Sequence, residues 1–183
     1  MTDGSADVWV FGYGSLIWRP DFSWLQAEPA WIDGWTRRFW QGSHDHRGVP
    51  NAPGRVVTLV PEAGGRCGGV AYLVEKQVVT EVFENLDFRE KNGYERFDVS
   101  LQQKHEVVQG VVYIAPIDNF AYLGEAPIDA IARQIIASAG PSGKNRDYLF
   151  ELAMALRKLD IDDEHVFELE RRVRQLLEVG DAD

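Results

Sequence analysis

Up to about residue 115, apolar residues come in short runs or alternate with polar ones. Beyond that they recur at three- and four-residue intervals, so strands precede helices. VWVF at 8–11 reads as a short buried strand running into Gly12-Tyr13-Gly14-Ser15. GWTRRFWQ at 34–41 mixes aromatic and basic side chains, the pattern of a strand with one wet face. RVVTLV at 55–60 and GGVAYLV at 68–74 are rich in β-branched and aromatic residues and bounded by Pro or Gly, which predicts two more strands. Between the strands at 34–41 and 55–60, SHDHRGVPNAPG at 43–54 is a loop by composition. The period then changes: Val78, Val79, Val82, Phe83 and Leu86 fall at helical spacing. Asn92-Gly93 marks a turn, Phe97, Val99 and Leu101 alternate with polar residues, and 109–115 is the last strand.

Three helices are expected after that. One spans 127–138; a second, capped by Ser142 or Asn145, carries an apolar face of Leu149, Leu152, Ala153, Leu156 and Leu159. A third starts near Asp162, with acidic residues in its first turn where they complement the helix dipole, and presents Val166, Leu169, Val173, Leu176 and Leu177. The economical architecture is α+β: a small mixed β-barrel or strongly curved sheet, surrounding helices and a helical C-terminal third. A single domain over 1–183 is expected, with its core at about 8–177 and disordered ends.

Composition narrows the function classes. The 183 residues carry 29 acidic against 19 basic side chains, a net charge of −10, and no basic cluster of the kind that binds nucleic acid or a membrane surface. Cys67 is the only cysteine, so no internal disulfide can form, and a reducing, cytoplasmic setting is expected. No apolar stretch approaches the roughly 20 residues that span a bilayer. No oligomeric state follows from the sequence.

The glycine turn fails the familiar phosphate-binding patterns. G-x-G-x-x-G begins well at Gly12 and Gly14 but meets Ile17, too bulky for close strand–helix approach. GPSGKN around Lys144 lacks the first P-loop glycine and the Ser or Thr after the lysine, and Ser15 lacks the flanking glycines of a nucleophile elbow. What remains at 12–17 is a nest of N–H donors and one hydroxyl that can hold a carboxylate as readily as a phosphate. The same pattern also fits a plain strand–turn junction whose glycines only supply positive φ.

In DFREKNGYE, Asp87 and Glu90 fall at the C-terminal end of a helix, whose negative dipole raises a carboxyl pKa. That is what general acid–base work near neutral pH requires, although Glu90 could equally pair with a neighbouring base at the surface. His44 and His46 stand two apart but lack further ligands at zinc spacing, so no metal site is expected. Cys67 reads as a packing residue, Arg55 as a candidate anion partner, and Trp31, Trp35 and Trp40 as core or groove residues.

Five separated blocks, in order, resemble the ChaC-type γ-glutamylcyclotransferases: FGYGSLIW at 11–18, QGSHDHRG at 41–48, PGRVVTLV at 53–60, LDFREKNGY at 86–94 and GPSGKNRDYLFELAMALR at 140–157. The resemblance runs from about Val8 to Leu177. It implies a small mixed barrel with helices around it and cleavage of glutathione, without water, to 5-oxoproline and Cys-Gly. It implies that Gly12, Tyr13, Gly14, Ser15, Leu16 and Ile17 bind the γ-glutamyl group and that Glu90 is the catalytic base, with no metal or organic cofactor. His44 departs from the smaller polar residue expected in its block, which bears on the Cys-Gly side. Rival readings are a cyclotransferase for other γ-glutamyl amino acids or amines, and a non-catalytic module that binds γ-glutamyl peptides.

Overall fold

The computed structural model describes residues 6–180. Its centre is a closed barrel of five strands in the order β1-β3-β2-β4-β5. These are β1 (Val8–Gly12), β2 (Gln26–Ser43), β3 (Gly54–Val74), β4 (Glu95–Gln102) and β5 (Val107–Ile114). β1 closes the barrel, antiparallel to β3 (Val8↔Val74 to Gly12↔Val70) and parallel to β5 (Trp9↔Gly110). The α+β expectation holds.

The strands expected at 55–60 and 68–74 are one strand of 21 residues, and the one expected at 34–41 is the end of an 18-residue partner. The turn-like PEAGG is a local excursion. Pairing jumps from Asp33↔Arg66 to Trp35↔Pro61, with Gly34 and Gly64 both at positive φ, 83° and 76°. This bulge reverses the parity of β2: Ala30 and Ile32 are buried before Gly34, and Arg37, Phe39 and Gln41 after it. A second irregularity, between Arg38 and Gln41, sets Phe39 and Trp40 against Val57 and bends the strand end that carries Ser43.

Parity explains a correction. Arg37 does not sit on a wet face; it is 1% exposed. Its guanidinium donates to Tyr13 O at 2.8 Å, to Asp163 Oδ2 at 2.8 Å and to Gly68 O. Asp163 also accepts from Val166 N at 3.0 Å, so one carboxylate both caps the last helix and neutralises an arginine inside the barrel wall.

Helix α1 (Val79–Arg89) lays Val79, Val82, Phe83 and Leu86 against Val10, Val74, Val111 and Tyr113. Helices α2 (Ile128–Ala137), α3 (Asn145–Lys158) and α4 (Glu164–Gly180) bury Ile131, Ile135, Leu149, Leu152, Leu156, Val166, Leu169 and Val173 with Phe11, Ile32, Phe39 and Cys67. Two-residue strands β6 (Ala139–Gly140) and β7 (Gly143–Lys144) link α2 to α3.

Neither Ser142 nor Asn145 caps α3 with its side chain. The Asn145 amide is buried and exchanges two hydrogen bonds with the Arg55 backbone, each 2.8 Å. Arg55 is no anion partner: its guanidinium donates to Gln134 Oε1, Phe39 O and Gly124 O at 2.7–3.0 Å. These polar groups fasten the helical layer to the barrel. Of the ends expected to be disordered, 1–7 and 178–183, residues 178–180 instead continue α4 and Asp7 accepts from Lys76 N at 2.9 Å; residues 1–5 and 181–183 lie outside the described residues.

Candidate active site

A cavity of about 290 Å³ opens where four segments meet: the turn after β1, the loop after β2, the C-terminal end of α1 and the start of α3. Tyr13, Gly14, Ser15, Leu16 and Glu90 line it. Gly12 and Ile17 stand behind the lining, where they shape the turn. A Cβ on Gly12 would lie 2.7 Å from Leu16 Cβ, so only glycine lets the chain double back so tightly. A Cβ on Gly14 would come within 3.0 Å of Tyr148 Oη and Val57 Cγ2. Neither glycine has positive φ; close approach is their reason.

Residues Ser15–Ile17 form a single 3-10 turn, with Ile17 N donating to Gly14 O at 3.0 Å. The donors that begin such a turn have no partner within it. Tyr13 is held from both ends: its carbonyl accepts from Arg37, and its hydroxyl donates to Tyr113 O at 2.7 Å.

Glu90 ends α1, its N–H donating to Leu86 O at 2.8 Å. Its side chain is 17% exposed. Burial pushes the carboxyl from 4.5 up to about 7, with the Asp45 charge adding to the rise and Arg89, 3.7 Å from Oε1, opposing it. Burial is thus the leading cause, where the sequence pointed to the helix dipole. Asp87 is drawn away instead, accepting from the Tyr113 hydroxyl.

Arg89 joins the two halves of the site. It donates to Ser15 Oγ at 2.7 Å and to Arg19 O at 2.8 Å, and it pairs with Asp21 at 3.2 Å. The glycine turn and the end of α1 are therefore one connected unit bearing a cation. Opposite, Arg47 N donates to Ser43 Oγ at 2.9 Å, and the His46 ring contacts Ser142 Oγ at 3.2 Å and Arg89 O at 3.4 Å. Tyr94 and Tyr148 complete the wall, their hydroxyl pKa values raised by burial so that both stay neutral.

His44 does not line this cavity; its ring stands 6.4 Å from that of Phe120. Among the described residues, no three or more His, Cys, Asp or Glu side chains gather as a metal site.

A family model described as "ChaC-like protein" matches residues 8–176. The chain belongs to the ChaC-like family. It is 45% identical over 179 residues to gamma-glutamylcyclotransferase 2-3 of Arabidopsis thaliana, covering 93% of this chain and 90% of that protein. It is 42% identical over 166 residues to glutathione-specific gamma-glutamylcyclotransferase 1 of Homo sapiens, covering 87% of this chain and 75% of the human one. Among solved structures, a yeast γ-glutamyl cyclotransferase specific to glutathione superposes with a TM-score of 0.89 at 32% identity, covering 93% and 97% of the two chains.

Within this ChaC-like site, sequence reasoning missed Asp45, Arg89, Tyr94 and Tyr148 as cavity residues. In the sequence Arg89 is only the residue beside Glu90 in the block LDFREKNGY. Its bonds cross about seventy residues to the glycine turn, and no local pattern carries such a pairing. Tyr94 and Tyr148 each sit in a block of the family resemblance but carry no spacing signal of their own.

Proposed function

We propose that this protein is a glutathione-specific γ-glutamylcyclotransferase. It cleaves reduced glutathione to 5-oxoproline and Cys-Gly by attack of the substrate's α-amine on its own γ-carbonyl. Family membership and the named activities of relatives at 42–45% identity support the reaction class. The observation that carries the mechanism is that a carboxyl raised to about 7 and an N–H-rich turn face one cavity, joined by Arg89.

The turn over Gly12–Ile17 anchors the α-carboxylate, with the free donors before Ile17 making the contacts and the Arg89 cation favouring the charge. Anchoring one end and confining the γ-carbonyl makes ring closure a matter of proximity, a large share of such a barrier. The substrate enters as an ammonium, which cannot attack. Glu90 removes a proton from it, the nitrogen closes on the γ-carbon, and the cysteinyl C–N bond breaks. Glu90 passes this proton to the leaving amine, then takes the second proton from the ring nitrogen and hands it to the departing Cys-Gly amine, so that 5-oxoproline leaves as a neutral lactam. A free carboxylate near about 4.3 is a poor match for an α-amine near about 8, and raising Glu90 narrows that gap.

No cofactor enters these steps. The cytoplasm suits the reading, since Cys67 is the sole cysteine and the substrate is a free thiol. No helix among the described residues is long and apolar enough to cross a membrane.

The test is product analysis with purified protein and millimolar glutathione. Equimolar 5-oxoproline and Cys-Gly support the reading; neither product from folded protein refutes it. γ-Glutamyl-alanine run in parallel separates glutathione specificity from a broader γ-glutamyl activity.

A further inference from the structure

Four tyrosines line the cavity: Tyr13, Tyr94, Tyr113 and Tyr148. Three of them give their hydroxyl proton to the protein. Tyr13 donates to Tyr113 O at 2.7 Å, Tyr94 to Val57 O at 2.6 Å, and Tyr113 to Asp87 Oδ1. Tyr148 is different. Its hydroxyl accepts the Val57 N–H at 3.4 Å, and its own proton meets no acceptor among the described residues.

The side chain is held in place. Asn145, three residues earlier in the first turn of α3, exchanges two 2.8 Å hydrogen bonds with the Arg55 backbone. The Tyr148 ring meets Trp18 and Phe39 edge-on, with centroids 5.4 and 5.9 Å away, and the Arg47 guanidinium lies 5.8 Å from its centre. The hydroxyl end reaches the glycine turn, since a Cβ on Gly14 would fall 3.0 Å from Tyr148 Oη. Burial, above all, and the nearby Glu90 charge keep the phenol protonated. A neutral O–H donor thus stands beside both the turn and the base. Packing alone gives no reason for a hydroxyl here: the Val57 bond is long, and a phenylalanine would fill the same space.

Ring closure, on the functional reading above, creates a need for such a donor. As the amine adds to the γ-carbon, negative charge develops on the carbonyl oxygen, and a donor already in place lowers that barrier. We propose that Tyr148 is a further catalytic residue, its O–H donating a hydrogen bond to the γ-carbonyl oxygen as this charge develops. This inference rests on the proposed function. The nitrogen lone pair forms the bond to the γ-carbon and the carbonyl π pair moves onto oxygen. That pair returns to re-form C=O as the cysteinyl C–N bond breaks, whose electrons leave with the nitrogen. Tyr148 keeps its proton throughout, and the proton transfers remain with Glu90.

The test is Tyr148→Phe, which removes one oxygen and keeps the ring. The kcat for glutathione is expected to fall about 10²-fold, as when one oxyanion donor is lost, with KM changed less than about twofold. Two inhibitors that cannot cyclise separate charge development from ordinary binding. Glutaryl-Cys-Gly keeps the planar γ-carbonyl and lacks the α-amine. A phosphinate analogue of glutathione, with P(O)(O⁻)–CH₂ in place of the γ-amide C(O)–NH, presents a tetrahedral oxyanion. The inhibition constant of the phosphinate is expected to rise by about the factor lost from kcat/KM, and that of glutaryl-Cys-Gly by less than about twofold. The melting temperature is expected to stay within about 2 °C of the wild type. An unchanged kcat removes Tyr148 from the chemistry. Equal weakening of both inhibitors makes it a group for ground-state binding, and a larger drop in melting temperature makes its hydroxyl a group of the fold; each of the three overturns the proposal. Failure of the wild type itself to form 5-oxoproline refutes the parent reading and this inference together, and is told apart by that control.

Discussion

Two groups of buried polar residues lie on opposite sides of the loop after β2, and they are treated in opposite ways. Behind the barrel wall, Arg55, Asn145 and Gln134 are joined by six hydrogen bonds of 2.7–3.0 Å, from Arg55 N, Nε and Nη1 and from the two side-chain amides. Around the cavity, Asp45 keeps a vacant oxygen and Glu90 carries a carboxyl raised by burial. The same chain that so fastens an arginine leaves two carboxyls unsettled a few residues away. Completed polar groups hold the layers together, while the raised Glu90 carboxyl faces the cavity.

The strongest way to break this contrast is Glu90→Gln. Turnover is expected to fall about 10³- to 10⁴-fold, roughly 4–5.5 kcal/mol of barrier, the upper range for losing a positioned general base. A folded variant that keeps its turnover would remove Glu90 from the chemistry. On the closed side, Arg37→Met strands Asp163 and the carbonyls of Tyr13 and Gly68. Urea denaturation is expected to show a loss of about 3 kcal/mol or more, as when one member of a buried pair is removed.

pH sharpens the same contrast. In the unfolded chain the Glu90 carboxyl returns to near 4.5, so between that pH and about 7 the folded protein holds a proton that the unfolded chain releases. The stability tied to neutral Glu90 is complete below about pH 4.5 and lost as pH rises through about 7. Glu90→Gln is therefore expected to be more stable than the wild type at pH 8, by about 1–3 kcal/mol, and not at pH 4.5. In wild-type kinetics, kcat/KM rises with pH through about 7 as Glu90 becomes a base.

His165 runs the other way. Burial lowers it from 6.5 to about 4, and its Nε2 accepts the Phe39 N–H at 3.1 Å. Its contribution is complete above pH 6.5 and fades as pH falls toward 4, on the order of 1–3 kcal/mol. Thermal melts of Glu90→Gln across this range isolate the His165 slope.

The smallest effect is expected at Gly12. A methyl there must displace Leu16 Cβ, 2.7 Å away, and so shift the turn. Gly12→Ala is expected to raise KM for glutathione about tenfold, with little change in the pH at which activity rises. Steady-state kinetics across pH separate the two.

What the sequence revealed was local. The glycine turn, the helix that ends at Glu90 and the alternation along 97–101 all depend on neighbours in the chain, and each lies where expected. What it hid was long-range. PEAGG has the chemistry of a strand boundary, and only pairing with β2 shows that β3 continues past it. Arg37 reads as a surface base because the carboxylate that pays for its burial, Asp163, lies 126 residues away. The raised pKa of Glu90 was foreseen, but its main cause, burial, is a property of the assembled site.

β1 is made first during synthesis and completed last. Its partners are β3 and the distant β5, and the Tyr13 hydroxyl waits for Tyr113, a hundred residues downstream. The glycine turn hangs from the end of this strand, so a ribosome-bound fragment ending before β5 holds every residue from Gly12 to Glu90 without the strand that closes the barrel behind them. The cavity between that turn and the end of α1 is thus assembled only when the barrel closes.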